Sequence, residues 1–427
     1  MTRDSLHFVC VLVAALPLAA WAQGEPGPLV VTVVTDRPEA MYHCGEEARF
    51  LISAHRGDAA VIAGQLRYTL TLDGGTVLGQ GTGEFAAEPV RVTGTLAEPG
   101  VLRCTVVAPD GAETASAHAA AAFDPLGIRP AAPEPDDFGS WWEQQKALVR
   151  AIPPDTELAL DETVSNERAS YYRITIANIE GKRVHGWLGV PKRAGQFPAV
   201  LQVPAAGWNG ISHGWAAMAE QGFLALGIVI HDFSVDTTPE EAKVYQEGAL
   251  AGYPHMGRDT RETYYFRAAF LGCVRAMDYL CSRPEWDGQT LLVNGSSQGG
   301  GLSIVCAGLD PRVTAIAANV PAMCDHLGFL AGRTPGWPRL VPGPDAPSAA
   351  VAPYYDAVNF ARHARCESMV CVGLVDLTCP PMGVYAAYNQ LPEPKRMVVT
   401  PLQGHVVSRE YSEAREELFS RFAPPGE

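Results

Sequence analysis

Ser297 stands at the centre of Gly295-Ser296-Ser297-Gln298-Gly299, a G-x-S-x-G pattern that follows the apolar run Leu291-Leu292-Val293. A serine carried on a tight strand-to-helix turn has strained backbone angles, so only the smallest residues fit two places before and after it. Such a turn lifts the hydroxyl clear of a sheet. The helix beginning at Gln298 then aims free N–H groups and its positive end at any oxyanion formed there. The predicted chemistry is nucleophilic attack by the Ser297 hydroxyl on a carbonyl carbon. The pentapeptide alone is also what a glycine-rich loop packing a helix on a strand would show, because the chain carries 42 glycines; its meaning comes from context.

A serine hydroxyl needs a base, and the base needs a carboxylate to fix its tautomer. Where the serine sits on such an elbow, the partners follow in the order acid, then histidine. Asp376 comes directly after the apolar stretch 369–375 and before Leu377-Thr378-Cys379-Pro380-Pro381, which turns the chain and leaves the carboxylate at a strand tip. His405 lies on the glycine-containing loop Leu402-Gln403-Gly404-His405 after the next strand. His326 and His363 are rival bases, and Asp325 and Asp356 rival acids, but none follows a strand tip so directly. Two N–H donors must receive the oxyanion. One is the main chain of Gln298; the other is assigned to Trp208, in the loop Pro204-Ala205-Ala206-Gly207-Trp208-Asn209-Gly210. The Trp208 indole would border an acyl pocket with room for a small acyl group.

These residues need a sheet to bring them together. Strands are predicted over 171–176, 183–190, 199–203, 224–230, 290–293, 313–318, 369–374 and 396–400, several as unbroken apolar runs suited to burial on both faces of a mostly parallel sheet. Helical segments lie between them. The clearest spans 262–282, where Phe266, Phe270, Cys273, Met277 and Leu280 step by four, three, four and three. Strand–helix alternation over about 300 residues gives an α/β fold. Ahead of it, strand-like runs at 30–34, 48–52, 66–72 and 102–107, broken by turns such as Asp73-Gly74-Gly75, predict an immunoglobulin-like sandwich. The expected division is a signal peptide over 1–22, the sandwich over 23–123, a proline-rich linker over 124–137 and the catalytic domain over 138–427. The sandwich carries no catalytic constellation; a spacer or packing module is expected in preference to a carbohydrate-binding one.

Arg3 precedes an apolar stretch from Phe8 to Ala20, and Ala20-Trp21-Ala22 forms a small-residue cleavage site, which predicts export to the periplasm or outside the cell. A net charge of −15 argues against nucleic acid or anionic membrane as partners and favours a neutral substrate. Only 19% of residues are charged, as a chain with a large buried interior requires. The ten cysteines show no C-x-x-C spacing, so neither a structural zinc site nor any other metal is expected. Cys44 and Cys104 are candidates for a bridge in an oxidising compartment.

Together these residues resemble the acetyl xylan esterase and cephalosporin-C deacetylase family of α/β-hydrolases. The likeness runs from about residue 136 to the C-terminus. It is carried by Asp137-Phe138 with Trp141-Trp142, Gly207-Trp208-Asn209-Gly210, Glu262-Thr263-Tyr264-Tyr265-Phe266-Arg267, the elbow, Asn359-Phe360-Ala361, and Asp376 with Cys379-Pro380-Pro381. The resemblance implies Ser297, Asp376 and His405 as a triad, the Gln298 and Trp208 amides as oxyanion hole, no cofactor, removal of acetyl groups from sugars, and assembly into homo-oligomers. Two stretches depart from the family: Ile230-His231-Asp232-Phe233-Ser234 replaces its usual Arg-Gly-Gln, and Val406 follows His405 where Glu is usual. Neither is needed for hydrolysis. A glucuronoyl esterase or peptidase on the same fold, and a non-catalytic polysaccharide-binding protein, are the competing expectations. His231, Asp232, His255 and Trp337 lie in long insertions, either as a roof over the pocket or as ordinary loop residues.

Overall fold

The computed structural model describes residues 27–207 and 211–424. The predicted signal peptide over 1–22 and Trp208 lie outside the described residues.

The first part of the chain alternates buried and exposed side chains and forms two sheets. Val30–Thr35, Ala48–Arg56 and Val90–Gly94, with the short Ala59–Ala60, make one; Gln65–Leu72, Val77–Glu84, Gly100–Asp110, Glu113–Phe123 and Met41–Tyr42 make the other. Phe50, Ile52, Leu66, Leu102, Val106 and Phe123 fill the space between them. Val77–Glu84 was not among the predicted strands because it holds few apolar residues: it is an edge strand with three glycines. Tyr68 explains one of them, since a Cβ on Gly81 would lie 2.5 Å from its hydroxyl oxygen. The Cys44–Cys104 bridge does not form. Both are free thiols. Cys104 points into the sealed core, whereas Cys44 is on a half-buried loop whose N–H donates to Asp124 Oδ2 at 2.8 Å.

Residues of the expected linker lie down on the second part of the chain. Asn389 Nδ2 donates to the carbonyls of Pro125 (3.0 Å) and Ile128 (2.9 Å), Arg333 to that of Arg129 (2.8 Å), and Ala131 N–H to Asp325 Oδ1 (2.8 Å). Helix α1, Phe138–Ala151, follows and buries Trp141 and Trp142. Trp142 meets Trp141 and Tyr355 edge to face and donates its indole N–H to the Tyr354 carbonyl at 3.0 Å.

The second part is built on a nine-stranded sheet. Its strands in chain order are β1 (Glu157–Leu160), β2 (Ala169–Ala177), β3 (Arg183–Pro191), β4 (Phe197–Gln202), β5 (Leu224–Val229), β6 (Trp286–Ser296), β7 (Ala315–Asn319), β8 (Glu367–Gly373) and β9 (Lys395–Thr400). They lie side by side as 1-2-3-5-4-6-7-8-9, antiparallel up to the β3–β5 pair and parallel from β5 onward. The expected mostly parallel sheet is present. The one unpredicted strand, β1, is an exposed edge. Alternate residues go to opposite faces: Leu201 and Val293 to the face covered by α2 (Phe266–Ser282) and α3 (Gln298–Leu309), Val200 and Leu292 to the face covered by α6 (Arg409–Ser420). Two further helices, α4 (Ala357–His363) and α5 (Pro381–Tyr388), precede β8 and β9 respectively. Helix α2 starts at Phe266 rather than at residue 262 because Tyr264 turns inward against Tyr355. Among the described residues, no helix is long and apolar enough to cross a membrane.

His326, 1% exposed after β7, is held neutral: burial pushes its pKa down from 6.5 to about 4. The unfolded chain takes up that proton near pH 6.5 and the folded one only near 4. The stability gained by keeping the ring neutral is therefore present above pH 6.5 and is lost as pH falls toward 4, at up to about 1.4 kcal/mol per pH unit. A His326→Gln variant should lose less stability than wild type between pH 6.5 and 4 in urea titrations; parallel losses would contradict this assignment.

Candidate active site

Strand β6 delivers Ser297 to its carboxyl end, where the residue adopts φ 59° and ψ −118° and α3 begins at the next position. The flanking glycines are required by contact. A Cβ on Gly295 would lie 2.6 Å from the carbonyl of Gly299, and one on Gly299 would lie 2.5 Å from that of Val203. The strained serine is pinned through its own main chain, with its N–H on the Asn319 carbonyl (2.9 Å) and its carbonyl receiving the N–H groups of Ala322 (2.9 Å) and Gly301 (3.0 Å).

Asp376 follows β8 and is completely buried. Its Oδ1 accepts the N–H groups of Thr378 (2.7 Å) and Cys379 (2.9 Å), which leaves Oδ2 for His405 Nδ1 at 2.8 Å. His405, after β9, places Nε2 2.8 Å from Ser297 Oγ. An ionised carboxylate only accepts, so Nδ1 carries the ring proton and Nε2 is left to accept from the serine hydroxyl. The structure thus brings Ser297, His405 and Asp376 into one hydrogen-bonded line. The rivals are occupied elsewhere. Asp325 pairs with Arg333, Asp356 caps α4 through the Val358 N–H, and His363 bonds Glu134.

The Gln298 side chain fastens the neighbouring loop. Its Nε2 donates to the carbonyls of Pro204 and Ala205, each at 3.2 Å, and its Oε1 accepts the Tyr253 hydroxyl at 2.8 Å. Tyr253 in turn accepts the Gly207 N–H at 3.1 Å, immediately before Trp208. His231 lies edge-on to Tyr253 and hydrogen-bonds the Tyr265 hydroxyl at 2.7 Å; burial pushes its pKa down to about 4, so it is a neutral wall residue. Asp232 holds His185 and the start of β3 instead. His255 bonds the Pro338 carbonyl, and Trp337 packs on Tyr253 and Phe266.

Three contributors were not singled out as site residues from sequence. Tyr253 is one. Asn319, at the end of β7, is another: its Nδ2 donates to Ser296 Oγ (2.8 Å) and to the Val406 carbonyl (3.0 Å), tying the elbow to the histidine loop. Its signal was a polar residue closing an apolar strand. The third is Cys379, which the sequence shows only as part of the turn that follows Asp376. Asp376, Cys379 and His405 offer ligand atoms all within 4.8 Å of one another. Burial, with the Asp376 charge beside it, keeps the thiol well above its ordinary pKa and hence protonated, and Asp376 and His405 already share a proton. The set as arranged is therefore suited to hydrogen bonding, since a metal would require thiolate and displacement of that proton.

A mostly parallel sheet with a serine at an elbow, and with an imidazole and a carboxylate arriving from later strand ends, defines the α/β-hydrolase class. Within it, the pattern describing the acetyl xylan esterase family matches residues 126–330 and 349–421. Acetyl esterase Axe7A of Xylanibacter ruminicola is 35% identical over 304 residues, covering 69% of this chain and 68% of that protein. The solved acetyl xylan esterase from Paenibacillus sp. R4 is 27% identical, with a TM-score of 0.61 over 70% of this chain and 98% of that one. Acetyl xylan esterase 1 from Thermoanaerobacterium sp. JW/SL YS485 shares the fold at the same TM-score and coverage with 23% identity. The chain belongs to the acetyl xylan esterase family and is a carboxylic ester hydrolase.

Tyr253→Phe removes the hydroxyl that joins Gly207 to Gln298 and leaves both groups unpaired, a loss of about 1–3 kcal/mol. Its kcat on an acetyl ester should fall about tenfold or more with KM little changed, because the loop it fixes carries a predicted oxyanion donor. An unchanged kcat in steady-state assays would contradict that role.

Proposed function

We propose that this chain is an exported serine esterase that removes acetyl groups from acetylated xylan or xylo-oligosaccharides through an acetyl-enzyme. The observation that carries this is the unbroken line from Ser297 through His405 to Asp376 in a chain of the acetyl xylan esterase family. Ser297 Oγ attacks the acetyl carbonyl as His405 Nε2 takes its proton, and Asp376 stabilises the imidazolium. The main-chain N–H groups of Gln298 and Trp208 receive the oxyanion. His405 then gives its proton to the departing sugar oxygen, activates a water for attack on the acetyl-enzyme, and returns a proton to Ser297 as acetate leaves. These steps use no metal or organic cofactor.

The names of the relatives support the choice of acetyl group and xylan, and the leader-like residues 1–22 support export. We extend the proposal to the domain division: an immunoglobulin-like module over 23–123, a strap over 124–137, a catalytic unit over 138–427, and self-association of the whole into a homo-oligomer. Acetate release from acetylated xylan tests the central step. Ser297→Ala should lower it by more than about a thousandfold while leaving the fold intact; release at the wild-type rate would end the proposal. In the same assay series, acetylated xylan should be preferred over a glucuronoyl ester and a prolyl peptide.

A further inference from the structure

The turn Asp73-Gly74-Gly75, which reads in sequence as an ordinary hairpin tip, is inserted into the hydrolase. A Cβ on Gly75 would lie 2.3 Å from the Gly332 carbonyl and 2.8 Å from Arg333 Cα, so only glycine allows the approach. Beside it Thr76 donates both its N–H (2.8 Å) and its hydroxyl (2.9 Å) to the Gly332 carbonyl. Behind the tip, Asp73 and Arg103 form an ion pair at 2.7 Å whose side chains are 0% and 3% exposed. A buried pair of this kind carries a large desolvation cost and is weak evidence for a role in stability. What the pair touches is more informative. Arg103 donates through the same nitrogen to the main-chain carbonyl of Asp376 at 2.9 Å. Asp73 Oδ2 accepts the Met382 N–H, in the first turn of α5, at 2.7 Å. The two ends of the segment 376–382, which carries the acid and both N–H groups that orient its carboxylate, are therefore held by one buried charge pair from another part of the chain.

We propose that Arg103, kept in place by Asp73, is a positioning residue of the esterase: it fixes the main chain at Asp376 and so aims the carboxylate at His405. The N-terminal β module is then a structural part of the active site and not a tethered accessory. This rests on the triad roles given under Proposed function. Among the described residues, four anchors from outside the segment hold the acid loop: Arg103 on the Asp376 carbonyl, Asp73 on the Met382 N–H, the Trp337 N–H on the Thr378 carbonyl at 2.7 Å, and the Gln403 carbonyl on the Val375 N–H at 3.4 Å. Arg103 is the one that grips the acid itself.

The test uses the full-length chain and hydrolysis of 4-nitrophenyl acetate. Arg103→Met leaves Asp73 buried without its partner, so the companion variant Arg103→Met with Asp73→Asn removes both charges and keeps an acceptor for Met382. In both, kcat should fall about ten- to a hundredfold with KM changed by less than about twofold, as expected for a misaimed group away from the substrate. Thr76→Val, which weakens the same docking surface without touching the acid loop, should keep the wild-type kcat. A double-mutant cycle separates positioning from general damage. Combined with Asp376→Asn, Arg103→Met should cost less than about twofold, because the group it aims is already disabled. An equal loss in both backgrounds, or a wild-type kcat in the doubly substituted variant, overturns the proposal. A wild-type chain that hydrolyses no acetyl ester overturns the esterase assignment beneath it; an active wild type with indifferent Arg103 variants overturns this inference alone.

Discussion

The backbone of Ser297 sits at φ 59°, a region that residues with a Cβ enter only at a cost of about 1–3 kcal/mol. That conformation survives because the surroundings over-determine it. Its N–H and carbonyl are bonded to Asn319, Ala322 and Gly301, and the chain on either side is glycine where any side chain would strike a carbonyl. The strain has a geometric product: the hydroxyl stands clear of β6 while the next residue already begins a helix. Every other feature of the site is placed with respect to that point.

The same economy of main-chain bonding recurs at the other two groups. Asp376 is aimed by two N–H groups of its own turn, so a buried carboxylate keeps a single free oxygen for His405. The histidine loop is held by Asn319, the residue that also anchors the elbow, which couples base and nucleophile through one amide. Hydrogen bonds in such a water-poor setting are worth more than in solvent, and a group left unpaired there costs more. A site assembled this way is rigid before substrate arrives, as stabilisation of developing charge requires.

Much of this was legible in the sequence, for reasons that differ by element. Strands β4 to β8 were readable because burial on both faces leaves unbroken apolar runs, and the edge strand β9 was readable from its short run Met397-Val398-Val399; their ends pointed to Ser297, Asp376 and His405. Edge strands such as β1 and Val77–Glu84 were not, since a strand with solvent on one side has less need of apolar residues. The elbow announced itself through its glycine spacing, although only Gly295 is required by the turn itself and Gly299 by the carbonyl of Val203 beyond β4. Tyr253 did not, and Asn319 showed only as a polar residue closing an apolar strand, because their work is done across 45 and 23 residues of chain. The Cys44–Cys104 pairing, open in the sequence, is not made, because Cys104 faces the sealed core while Cys44 lies on a half-buried loop. Asp73 was legible as a turn former, but a turn signal does not say what the turn is pressed against.

The central claim is that one hydroxyl in this chain is activated by an imidazole and a carboxylate at the sheet edge. Covalent labelling with a fluorophosphonate, followed by peptide mass mapping, tests it most directly, since only an activated serine reacts at low reagent concentration. The account predicts a single adduct on the peptide containing Ser297. Absence of labelling in folded protein, or an adduct on any other residue, would contradict it.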